Sequence, residues 1–225
     1  VAQTFTEIAT GESFTAVVDH LKSKGDSGLA GEDPSNPDVD QGGGAGYWNA
    51  TRAAAVQEML EWMQTNPTGT ADDDYLVLGD LNSYAMEDPI VALMAGEDGQ
   101  LGTEDDWTDL AETLGDGDGY SYVFDGFAGT LDYVFGNASI TSQVTGATRW
   151  NANSDEADVF DYNLDFGRDA ALFDGTTPYR ASDHDPVIVG LNLRSEPELN
   201  LVLGTGKNDR LVGTDAADRI ESLGG

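Results

Sequence analysis

The chain has 225 residues, 39% of them apolar and none cysteine, with 42 acidic against 10 basic side chains and a formal net charge of −32. Length and apolar share suffice for one large domain, or a domain with an appendage, while the absence of cysteine excludes disulfides and thiolate metal sites. So acidic a surface argues against unaided capture of a polyanion, which relies on lysine and arginine to neutralise phosphates, and it calls for screening salt or bound cations.

Residues 13 to 25 read as a strand, Phe14 to Val18, emptying into a loop that carries Asp19, His20, Lys22 and Lys24. A glycine-, aspartate- and proline-rich stretch follows up to Trp48 and is expected to be exposed. Ala53, Val56, Leu60 and Met63 then recur at helical spacing and predict an amphipathic helix over Asn49 to Met63, with a polar cap at Asn49 or Thr51. Tyr75 to Leu78 form a short continuous apolar run, the pattern of a strand buried on both faces, and it ends at Gly79-Asp80. Further helices are expected from Asp88 to Met94 and near Trp107 to Leu114. The segments "YSYVFDG" (120 to 126) and "TLDYVFG" (130 to 136) read as two strands paired with each other, and "VIVGLNL" (187 to 193) as the last strand. The fold class is therefore mixed α/β, with polar residues gathered at strand ends. No run approaches the roughly 18 apolar residues of a membrane span.

Residues 194 to 202 read as a polar linker. Beyond it, in 203 to 225, Gly204, Thr205, Asp209, Arg210 and Leu211 recur nine residues later as Gly213, Thr214, Asp218, Arg219 and Ile220. Nine residues is the period of calcium-binding β-roll repeats, in which the aspartate and turn carbonyls hold Ca²⁺. Asp209 and Asp218 are the candidate ligands. The match is partial, since Lys207 and Ala216 occupy the position of the fourth-place glycine. Val1 in place of a start methionine, and an end at Gly224-Gly225, lead us to expect a piece of a longer protein.

The chemistry gathers in four places: His20 with Lys22 and Lys24, Asp80 with Asn82, Asp132, and Asp183 with His184. A strand-end aspartate is ordinarily a turn residue or a helix cap, and a histidine beside acids is ordinarily a surface residue. The joint distribution argues otherwise. Both histidines of the chain, and Lys22, Lys24, Arg52 and Arg180 out of 10 cations, fall in or beside these motifs. A carboxylate on either side of His184 also favours its protonated form.

"DHLKSKG", "GDLNSY", "TLDYVF" and "SDHDP" resemble, in this order, motifs of the endonuclease/exonuclease/phosphatase superfamily, the DNase I-like phosphodiesterases. "HLKSKG", the "NATR" helix start, "GDLNSY" and "YSYVFDG" are similar to segments of its large bacterial extracellular nucleases, and the resemblance spans residues 1 to 193. Asp19 departs from the asparagine usual before that histidine. The resemblance implies part of a two-sheet α/β sandwich whose N-terminal half lies outside this chain, followed by the start of the β-roll. It implies His184 as general base or phosphate ligand oriented by Asp132, and Asp183 as ligand of Mg²⁺ or Mn²⁺. Asp80 and Asn82 would contact phosphate or attacking water, with Asn82 donating an amide hydrogen bond, and His20 would act as a second acid. Lys22, Arg52 and Tyr122 are phosphate or structural contacts. A bound cation would reverse the sign of the site and let an acidic protein grip a phosphate.

The expected function is that of a secreted bacterial nuclease acting on DNA or RNA, a monomer exported through its C-terminal repeats. This piece alone is expected to be weak or inactive, because the early-strand asparagine and metal-binding glutamate of relatives are not found in it. The alternatives are another phosphoesterase of the superfamily, acting on phospholipid or inositol phosphate, and a non-catalytic calcium-dependent surface module. Asp185 is read as loop structure, so Asp185→Asn is expected to do little.

Overall fold

The computed structural model describes residues 1–115, 119–160, 169–172, 174–194, 200–203 and 218–221. The chain divides into two compact units, Val1–Leu193 and Arg194–Gly225.

The first unit opens with strands β1 (Ala2–Thr6) and β2 (Ser13–His20), helix α1 (Asn49–Met63), strand β3 (Tyr75–Asp80) and helix α2 (Asp88–Met94). It continues with β4 (Thr108–Asp109), α3 (Leu110–Leu114), the short strands β5 (Tyr122–Phe124) and β6 (Phe127–Gly129), β7 (Asp132–Gly136), α4 (Ala138–Thr141), β8 (Val144–Arg149) and β9 (Val187–Leu191). Five strands make one sheet in the order β1-β2-β3-β7-β4, with β2 and β3 parallel and the other pairs antiparallel. Alternation along each strand sends side chains to opposite faces. Val17, Val77, Tyr133 and Phe135 meet Val56, Leu60 and Met63 of α1 and Leu93 of α2 on one side. On the other, Leu76 and Val134 meet Leu110, Ile140 and Ala147. Strand β3 is thus apolar from Tyr75 to Leu78 because both of its faces are covered there.

Two local expectations are corrected. The first turn of α1 is capped by Asp38, whose carboxylate accepts from the Thr51 amide at 2.8 Å and the Thr51 hydroxyl at 2.6 Å, while Asn49 donates instead to Asp88. Strands β5 and β7 do not pair with each other. Tyr122–Phe124 folds back on Phe127–Gly129 through Asp125-Gly126, where φ is +50° and +80°, the two positive values of a tight hairpin turn. This frees β7 to insert between β3 and β4. Strands β1 and β8 lie in segments where the sequence suggested no strand.

Register brings the chemistry together. His20 lies opposite Asp80 across the β2–β3 pair, and Asp80 lies opposite Asp132 across β3–β7. Gly79, one residue earlier, has φ +138°, and a Cβ there would stand 1.9 Å from the Asp19 carbonyl oxygen. Only glycine lets the two strands approach so closely at this point.

In the second unit β10 (Asn200–Leu203) and β11 (Asp218–Glu221) pair in parallel. Asn200 lies opposite Asp218, so the chain returns to the same line after eighteen residues, two of the nine-residue periods. Asp209 lies outside the described residues; Asp218 is the first residue of β11.

Candidate active site

Asp80 ends β3 with its carboxylate braced from one side by its own turn. Oδ1 accepts from the Asn82 amide N–H at 2.8 Å, and Oδ2 from the Asn82 side-chain amide at 3.0 Å. The same Asn82 Nδ2 donates to the Leu21 carbonyl at 3.0 Å, and the residue is 8% exposed with φ +46°. Both amide hydrogens of Asn82 are therefore committed to the protein. Asn82 positions Asp80 and ties it to the loop after β2, where the sequence suggested an amide donated to phosphate.

Two imidazoles flank Asp80. His20 Nε2 is 3.3 Å from Oδ2 with its side chain 74% exposed, and His184 Nε2 is 4.0 Å from the same oxygen with its side chain 23% exposed. His184 Nδ1 lies 2.7 Å from Asp132 Oδ2. An ionised carboxylate only accepts, so Nδ1 carries the hydrogen and Nε2 is left with the lone pair that can take a proton. Burial pushes the His184 pKa down, but the hydrogen bond to Asp132 and the charges of Asp132, Asp80 and Asp183 outweigh it, and the net shift is upward. Asp80 is also shifted upward, first by burial and further by the Asp132 charge, against the Asn82 amide and the two histidines.

The His184 loop is anchored by Asp185, read from the sequence as loop structure, and by partners that the sequence did not bring forward. Asp185 is 2% exposed; its Oδ1 accepts from the amides of Ala152 at 3.0 Å, Asn153 at 2.8 Å and Ser154 at 3.1 Å. Its Oδ2 takes the Ser154 hydroxyl and the Asn151 side-chain amide, and Asn153 Nδ2 donates to the His184 carbonyl at 2.8 Å. Ser121, fully buried, accepts the amides of Leu131 and Asp132 on its hydroxyl, each at 3.0 Å, and the amide of Asp185 on its carbonyl at 2.8 Å. One serine thus fixes the strand bearing Asp132 relative to the loop bearing His184. Tyr122 pairs with His184 through the backbone, and their rings lie 4.5 Å apart.

The remaining sequence candidates divide. Arg52 is fully buried, and its guanidinium donates to Ser83 Oγ at 3.0 Å and to the carbonyls of Lys22 at 3.1 Å, Tyr47 at 2.8 Å and Ala45 at 2.8 Å. It is a strut for the loop ahead of α1, the structural one of the two roles left open for it. Lys22 is exposed, donates to Ser23 Oγ and sits 5.4 Å from the Trp48 ring. Lys24 pairs with Glu87 and lies 4.4 Å over the Tyr84 ring; burial lowers its pKa, partly offset by Glu87. Asp183, half-buried beside His184, stands outside the group formed by Asp80, Asp132 and His184, whose ligand atoms all lie within 4.8 Å of one another.

Two carboxylates beside one imidazole at that spacing fit a divalent cation, with the oxygens of Asp80 and Asp132 as the groups that would hold it and His184 left next to it. A cation there would supply positive charge able to polarise a phosphoryl oxygen. Beside it, Asp132 holds His184 through Nδ1, so that His184 Nε2 can accept a proton, and solvent-exposed His20 can donate one. A cleft of about 420 Å³ adjoins His184 and is lined among others by Lys24, Asn82, Tyr84, Tyr122, Phe124 and Leu131.

No helix among the described residues is long and apolar enough to cross a membrane. No protein-family model and no curated protein matches the chain. Among solved structures, the human Nocturnin catalytic domain with bound sulfate anion is similar over 61% of this chain and 40% of that one, with 20% identity and a TM-score of 0.39. The chain spans less than half the length of that domain.

Proposed function

We propose that this chain belongs to a divalent-metal-dependent phosphodiesterase that hydrolyses nucleic acid outside the cell. The observation that carries the reading is the convergence of Asp80, Asp132 and His184, with Asp132 on one imidazole nitrogen and the other free to take a proton. Water attacking a phosphodiester needs a base, charge on the phosphoryl oxygens and an acid for the leaving alkoxide. His184, a cation held by the carboxylates, and His20 supply these in turn. Mg²⁺ or Mn²⁺ suits the oxygen-rich part of the donor set. The parallel return of the chain after eighteen residues in the second unit supports a calcium-binding roll there, and together with the net charge of −32 it favours a saline extracellular setting.

The test is hydrolysis by the full-length protein of plasmid DNA, RNA, a nitrophenyl phosphodiester, a nitrophenyl phosphomonoester and sphingomyelin, with Mg²⁺, with Mn²⁺ and with chelator. Cation-dependent cleavage of nucleic acid, lost in His184→Ala, is expected. Cleavage confined to the monoester or the lipid would replace the substrate class. Activity unaffected by His184→Ala would remove the assignment of the base.

A further inference from the structure

Building on this reading of the site, we propose that the β5–β6 hairpin is a stacking platform for unpaired nucleobases, which directs the enzyme to single strands and frayed ends. The His184 ring lies 4.5 Å from Tyr122 with a tilt of 30°, and the Tyr122 ring lies 6.4 Å from Phe124 at 16°, nearly parallel. A line of rings thus runs outward from the imidazole. At its outer end Phe124 is 59% exposed, and its cross-strand partner Phe127 is 78% exposed. The tight Asp125-Gly126 turn fixes the backbone positions from which Phe124 and Phe127 project, and an aromatic ring has only two side-chain torsions to lose when a flat ligand settles on it. Tyr84 continues the aromatic lining into the cleft, its ring lying so close to Gly129 that a Cβ there would meet it at 2.5 Å.

Charge makes the same argument from the other direction. Lys24, the lysine that lines this cleft, is paired with Glu87, and Arg52 is spent on loop carbonyls. Apart from exposed Lys22, which does not line this cleft, phosphate contacts by cations, the usual source of nucleic-acid affinity, are therefore few here. Stacking on aromatic faces needs no charge, is not screened by salt and accepts any base. Bases inside a duplex are already stacked and present no face, so the platform discriminates for unpaired ones.

The test needs no turnover. Binding of a short 2-aminopurine-containing oligonucleotide is followed by fluorescence in chelator at high salt, beside a matching oligomer whose bases opposite the platform are replaced by abasic residues. Stacking should quench the fluorophore. Removing the bases, or making Phe124→Ala, should each weaken binding by roughly tenfold, the effect of one base–ring stack. Removing both should weaken it no more than either alone, because the two changes delete the same contact. Phe127→Ala supplies a second variant, and Phe5→Ala, an exposed ring on the sheet edge, should leave affinity unchanged. Additive losses from base and ring, equal losses in Phe5→Ala, or no quenching would overturn the platform. Absence of cation-dependent cleavage with the coupling intact would instead sink the phosphodiesterase reading.

Discussion

Replacing Asp185 with asparagine should destabilise the fold substantially, although the sequence presents this residue as loop structure and predicts little effect. The carboxylate is 2% exposed, so solvent screens none of its bonds. An asparagine oxygen can replace Oδ1 and keep the three amide bonds from Ala152, Asn153 and Ser154, but as neutral bonds. Going from charge-assisted to neutral costs roughly 0.5–1 kcal/mol for each. On the other side, the new –NH₂ faces the Asn151 –NH₂, and the Ser154 hydroxyl must reverse. A buried donor left facing a donor costs about 1–3 kcal/mol. The total is roughly 2.5–6 kcal/mol, a large part of the 5–15 kcal/mol that holds a typical domain together. Urea unfolding should therefore show a lower midpoint at unchanged slope. A loss smaller than about 1 kcal/mol would refute the claim that this carboxylate organises the segment from Asn151 to Ser154.

Asp132→Asn should lower hydrolysis by the full-length protein by about two to four orders of magnitude with little change in unfolding midpoint, because it can hold His184 in the wrong tautomer. Imidazole NMR should show the His184 pKa moving down in that variant. Gly79→Ala should cost at least about 2 kcal/mol in thermal unfolding, since its Cβ would stand 1.9 Å from the Asp19 oxygen and φ is +138°. The raised His184 pKa fixes the sign of a pH effect. Its contribution to stability is complete below the unfolded value of 6.5 and is lost as pH rises through the higher folded value. Over that window wild-type stability should fall relative to His184→Gln, as read by urea titrations at successive pH.

Much of the frame was legible because it is local. The helical repeat of Val56, Leu60 and Met63 and the apolar run before Gly79-Asp80 mark α1 and β3, and the motifs name the residues that meet at the sheet end. What stayed hidden depends on partners far along the chain. Ser121 reads as one small polar residue among aromatics, and nothing nearby says that its hydroxyl receives two amides ten and eleven residues on. Asp185 sits beside Pro186 like an ordinary loop acid, yet its partners lie 31 to 34 residues earlier. Arg52 could face a phosphate or a carbonyl; only the path of the loop ahead of α1 decides. The Asp125-Gly126 hairpin was a local signal, overshadowed by the stronger apolar pattern of Tyr133 to Phe135.

The register that sets Asp80 directly against Asp132 places two acids on neighbouring strands, an arrangement that weakens a sheet when both are ionised. The native sheet thus carries a standing electrostatic debt at the point where its chemistry is done. Any cation that settles it, proton or metal, binds the folded chain in preference to the unfolded one and raises the melting temperature in proportion to the logarithm of its concentration above Kd. Thermal stability then becomes a gauge of site occupancy that can be read without a substrate.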